Sequence, residues 1–147
     1  MSESIEIDFL IIADRAEVLN GKLYMMGGGW DSIGTAGPEQ TLQFAAAVGF
    51  LVPWNATNVD HDCTIRMEDA DGTDVLSFGY AIKTGRPPNL PEGATQRVTV
   101  CLPISASFPK PGMYVLAATA GSQQKRVSFH VRRVPPTAPQ PFLPTQS

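Results

Sequence analysis

The sequence predicts an all-β protein, an antiparallel two-sheet β-sandwich of about eight strands with a Greek-key connection. Three observations predict it. Apolar residues alternate with polar ones or run continuously for short stretches, and turn-forming residues recur at close intervals. β-branched and aromatic residues fill the runs between those turns. No window of a dozen residues carries an apolar stripe of helical period, so no crossover helix is available to join parallel strands.

The first run, from about Ile5 to Leu19, places Ile5, Ile7, Phe9, Ile11 and Ala13 on one face and Leu10 and Ile12 on the other. Its middle is therefore expected to be covered on both sides. It ends at Asn20-Gly21, a dipeptide suited to a type I′ hairpin turn, where both central residues need positive φ. The return strand begins KLYMM and runs into Gly27-Gly28-Gly29, followed by Trp30. Glycines weaken a strand and let it bend, so the triplet is expected to mark a corner where the chain leaves one sheet for the other, with Trp30 covering the gap. A phosphate-cradling loop is the competing reading, but the spacing is neither GxxxxGK[ST] nor GxGxxG and no helix pattern follows.

In TLQFAAAVGFLVP, large residues (Leu42, Phe44, Val48, Phe50, Val52) alternate with small ones (Ala45, Ala47, Gly49). The large set belongs in the core. The small set permits close approach of another layer, either a second element of the same chain or a second subunit. After the polar loop NATNVDHD, the segments CTIRMED and TDVLSFGYAI read as a hairpin joined by Asp69 to Gly72. TGRPPNLPEGA, from Thr84 to Ala94, is too rich in Pro and Gly for a sheet interior and serves as a long connection between sheets. RVTVCLPI, Met113 to Ala120 and Gln124 to Val134 complete the strands. Residues 1–134 form one domain by this reading, and the remainder, a proline-rich stretch with Phe142 and Leu143, reads as an extended tail.

At 147 residues the chain can bury roughly two thirds of its unfolded surface in a single core without a disulfide or metal. A net charge of -3 argues against general affinity for nucleic acid or anionic membranes, which rests on many Lys and Arg. The amino terminus is acidic where an export signal would be basic, so a cytoplasmic protein is expected. Two cysteines, Cys63 and Cys101, fall in opposite strand phases: Cys63 shares the buried face of Ile65 and Met67, whereas Cys101 opposes Val100 and Leu102. Both are expected to be free thiols.

The patterns that could carry chemistry have plainer explanations. Asp60-His61-Asp62-Cys63 lacks a partner cluster to complete a metal shell, and Asp69, Asp71 and Asp74 with Gly72 lack the register of a calcium loop. His61 and His130 are the only histidines, and neither accompanies a G-x-S-x-G elbow. No catalytic residue, metal or cofactor is expected. On the last strand Val127, Phe129 and Val131 face inward, which leaves Arg126, His130 and Arg132 as a basic stripe on the other face, either a solvated surface or a docking surface for an acidic partner.

The segments IDFLIIADRAEVLNGKLYMMGGGWDSI, CTIRMEDADG and LPISASFPKPGMYVLAATAGSQQKRVSFHV together resemble a family of small bacterial proteins, a domain of unknown function. The shared pattern is a first strand ending in A-D, then N-G-K-L with a G-G turn, a D-x-D-G hairpin and a closing P-G-x-Y strand. It spans about Ile7 to Val131. The resemblance implies a bacterial source and an immunoglobulin-like sandwich, and it brings no activity or catalytic residue. Trp30, the third glycine and the tail depart from the pattern.

The expected function is a non-catalytic binding module that engages a protein partner or a second copy of itself, with no nucleic acid and no membrane. Ala45, Ala47, Gly49, Arg126, His130, Arg132 and Phe142 are its candidate contact residues. The alternative is a structural subunit of a larger assembly, such as a phage or capsid-like particle, with the tail lacing onto a neighbour.

Overall fold

Two stacked sheets enclose one apolar interior in the computed structural model, which describes residues 4–135. The strands are β1 (Glu6–Leu19), β2 (Lys22–Gly28), β3 (Ser32–Thr35), β4 (Leu42–Val52), β5 (His61–Glu68), β6 (Asp74–Ile82), β7 (Gln96–Ala106), β8 (Gly112–Ala120) and β9 (Gln123–Arg133). One sheet has the order β2-β1-β4-β7 and the other β3-β9-β8-β5-β6. Every pairing is antiparallel except that of β3 with β9. The strand β3 is the one the sequence did not announce, because its four residues carry no alternation and its partner lies about a hundred residues away, where local pattern says nothing.

The core phases of β4, β5, β7 and β9 follow the alternation of their residues. Phe44, Val48, Phe50 and Val52 point inward from β4 to meet Ile65 and Met67 of β5, Leu116 of β8 and Phe129 and Val131 of β9. Cys63 is buried among them, Cys101 is half-buried on the opposite face of its strand, and both are free.

For β1 the expected phase is wrong. A bulge between Ile7 and Phe9 inserts one residue, so Ile7 opposes Phe50 but Leu10 opposes Val48 and Ile12 opposes Ala46. Ile5, Ile7, Leu10 and Ile12 therefore face the core, while Phe9, Ile11 and Ala13 cover the outer face. A single extra residue moves every later side chain to the other side of the sheet.

The Asn20-Gly21 turn takes the left-handed conformation at both residues, φ 52° and 74°, as a type I′ turn requires. At the glycine triplet the chain does change sheets. Gly27 and Gly29 adopt φ of 62° and 79°, Gly29 N donates to the Ile12 carbonyl at 2.7 Å, and β3 then begins in the second sheet. Trp30 closes the corner, its ring edge-on to Phe44 at 5.4 Å and to Phe129 at 5.7 Å.

Two locks hold the connections. The buried Tyr114, at the start of β8, donates its hydroxyl to the Lys110 carbonyl four residues upstream at 2.6 Å and fixes the β7–β8 corner. In the long connection after β6, the Arg86 guanidinium stacks 3.8 Å above the Trp54 ring and donates to Thr57 Oγ1 and the Trp54 carbonyl at 2.7 and 2.8 Å. That contact secures the turn between β4 and β5.

Candidate interaction surface

The two flanks of β1 are used over different lengths. Toward β4 it pairs from Glu6 to Ala13, and toward β2 from Ala13 to Leu19. The hairpin built from the end of β1 and the whole of β2 therefore runs past the end of the β4 pairing as an arm. Among the described residues, no strand pairs with the β4-facing edge of β1 beyond Ala13, and the first residues of β4 pair only with β7. Two open strand edges thus diverge from the Ala13–Ala45 pair.

A cleft of about 1350 Å³ occupies this divergence. Arg15, Glu17, Tyr24 and Met26 form the arm wall; Ala45, Cys101 and Pro103 form the wall on β4 and β7. Arg15 and Glu17 continue the outward face of Ala13, and their cross-strand partners are Met26 and Tyr24. The arm therefore leans over the outer face of the β4–β7 pair. Burial first, and then the nearby Glu17 carboxylate, push the Cys101 thiol up from its ordinary value.

Beside its charged residues the arm exposes large apolar side chains where an exposed hairpin would ordinarily be polar throughout. Leu19, Tyr24 and Met26 are 52 %, 51 % and 70 % exposed, which makes them three of the five large apolar side chains exposed among the described residues. Solvated side chains of this size on an unpaired edge are what contact surfaces are made of. In the sequence the signal was KLYMM itself: a return strand with apolar residues in both phases and no cover to account for one of them.

Of the residues expected at an interface, Ala45 lines the cleft, whereas Ala47 and Gly49 lie buried between their larger cross-strand neighbours. Ala47 is flanked by Ile11 and Cys101, and the Phe9 ring fills the space a Cβ on Gly49 would take. The cover for this small-residue stripe comes from within the chain.

Arg126, His130 and Arg132 do form an exposed stripe on β9, on the outer face of the other sheet. Its charge is partly spent internally: Arg126 Nη2 donates to Glu68 Oε1 at 2.6 Å, and Arg66 Nε bridges Glu68 and Asp74 at 3.3 and 3.5 Å. The Arg126 hydrogen bond holds the Glu68 carboxyl below its ordinary range. Arg132 donates to Ser32 Oγ at 2.7 Å. The two candidate surfaces sit on opposite faces of the sandwich, and Phe142 with the tail lies outside the described residues.

His61 bonds the Ala56 carbonyl through Nε2 at 2.7 Å, and the Asp69 carboxylate accepts from the amides of Asp71 and Thr73 at 2.9 Å, so both serve as turn fasteners. Cys63 is pushed up to about 11 by burial and by Asp62, the state of an inert core thiol. Compared with known proteins, residues 8–132 match a family model described as a family of unknown function (DUF6941). No curated protein matches the chain.

Proposed function

The chain belongs to the family of unknown function DUF6941, and from that premise we propose that it is a non-catalytic protein-interaction module whose contact surface is the β1–β2 arm and the cleft beneath it. The carrying observation is the combination of an unpaired strand edge with the exposed Tyr24 and Met26 on one arm. Such an edge offers main-chain hydrogen bonds, and the flanking side chains offer apolar contact area.

The chemistry of the cleft supports the non-catalytic reading. Its one thiol, Cys101, has its pKa raised, whereas a nucleophile needs it lowered. The immunoglobulin-like reading is supported by the strand order β1-β4-β7 facing β9-β8-β5-β6, which follows the A-B-E and G-F-C order of those domains, and by Tyr114, placed like their tyrosine corner. A cytoplasmic bacterial protein with no cofactor, nucleic acid or membrane partner completes the proposal; among the described residues no helix is long and apolar enough to cross a membrane.

Capture from a lysate of the source organism tests it, with wild type set against a Tyr24→Ser/Met26→Ser variant of unchanged melting temperature. A retained partner, or further copies of the chain, held by wild type and lost by the variant is the expected result. Identical recovery by both proteins, or none by either, overturns it. The projecting edge also favours a second reading, a subunit of a repeating assembly, for which light scattering on the purified protein would show large particles of defined size.

A further inference from the structure

Resting on the reading of the arm as a contact surface, we propose that its partner is a second copy of this chain. The free edge of one β1 pairs antiparallel with the same edge of the other across a twofold axis at Ala16.

Self-complementarity of charge along the edge selects this occupant. A twofold axis perpendicular to the sheet keeps outward side chains beside outward ones and opposes residues whose numbers sum to twice the residue on the axis. With Ala16 on the axis, Arg15 of each copy opposes Glu17 of the other, on the face that also carries Tyr24 and Met26. Shifting the axis to Arg15 opposes arginine to arginine, and shifting it to Glu17 opposes glutamate to glutamate, both unfavourable. The axis residue is an alanine, small enough for two backbones to meet at sheet distance. Among the described residues no strand pairs with this edge, and Asp14, Arg15, Glu17 and Leu19 beside it are exposed. The gap beside β1 beyond Ala13 is where β4 would otherwise pair, and it leaves residues 14–18 for the ladder, because the place beside Ala13 is taken by Ala45.

Charge reversal tests the pairing in the full chain by sedimentation velocity over a range of concentrations. Wild type is expected to dimerise; Arg15→Glu and Glu17→Arg, each placing like charges opposite one another, are expected to weaken the dimer about tenfold or more. The double variant restores opposite charges and is expected to recover wild-type affinity. Ala16→Cys combined with Cys101→Ser is expected to give a covalent dimer under mild oxidation, a readout of position independent of any folding defect in the charge variants.

A wild-type monomer at every concentration overturns the proposal. So do single variants that dimerise like wild type, a double variant no better than the singles, or an Ala16→Cys protein that does not cross-link. Dimerisation that disappears on truncation after Pro135 assigns the gap to the tail and equally overturns it. The interaction-module reading fails on a different result, capture that does not depend on Tyr24 and Met26, so the two failures are distinguishable.

Discussion

At the scale of single residues, Gly49 shows how one missing side chain is read. The alternation of small and large residues announced that something comes close at Ala45, Ala47 and Gly49, and the pattern could not say what, because the neighbour is set by cross-strand register. At Gly49 the neighbour is the Phe9 ring, which occupies the position of a Cβ. Gly49→Ala is therefore expected to cost about 1–3 kcal/mol by displacing the ring. In a Phe9→Ala background the clash is gone, and the same change should become neutral or stabilising by up to about 1 kcal/mol through the lower entropy of the unfolded chain. Chemical denaturation of the four proteins reads the reversal of sign. The cysteines give a second test. With burial holding Cys63 up at about 11, it should resist a thiol reagent at pH 8 until the protein unfolds, whereas the half-buried Cys101 should react in the folded state. Because Glu17 helps to raise the Cys101 thiol, Glu17→Gln should quicken its reaction. Equal rates at the two cysteines would contradict the placement.

Among the elements, hairpins and core strands were legible because their signals are local: Asn20-Gly21, Asp69 to Gly72, and the alternation in β4 and β9. The arm was not, since its projection depends on how far β1 outruns its pairing with β4, and the bulge near Asp8 left no mark in the apolar pattern that would have corrected the phase. An arm whose two outer edges pair with no strand among the described residues should open more readily than the sheet centre. Hydrogen exchange should therefore be faster for residues 14–27 than for β4 or β8, and raising the protein concentration should slow the arm alone; uniform protection would count against a projecting arm. The ion pairs linking β5, β6 and β9 make a separate prediction. Glu68 has a depressed pKa in the folded state, so its contribution is present above the ordinary glutamate value of 4.5 and is lost as pH falls through the folded value. Glu68→Gln should lower the melting temperature at pH 7 and leave it nearly unchanged at about pH 3, so that the two curves converge in acid. Parallel curves would mean that the Arg66 and Arg126 contacts carry no stability.

For the whole molecule, the decisive contact is the aromatic knot that ties the sheets together. Phe129 of β9 lies within 6.3 Å of the rings of Trp30, Phe44, Phe108 and Tyr114, which come from the sheet-to-sheet corner, the opposite sheet, the β7–β8 connection and the neighbouring strand. The glycine corner and the Tyr114 lock both end in this cluster, so two of the positions where the chain changes sheets are also where the sheets are joined. One core of this kind predicts one cooperative transition rather than separate melting of the two sheets. In a Trp54→Phe background, Trp30 reports on the cluster by fluorescence, while circular dichroism reports on all the strands. The two probes should give coincident denaturation curves in that background. Phe129→Ala should shift both together by about 3–5 kcal/mol, a large share of the roughly 5–15 kcal/mol that holds a domain folded. Loss of the fluorescence signal ahead of the strand signal would show instead that the sheets hold independently and that the knot merely decorates the interface between them.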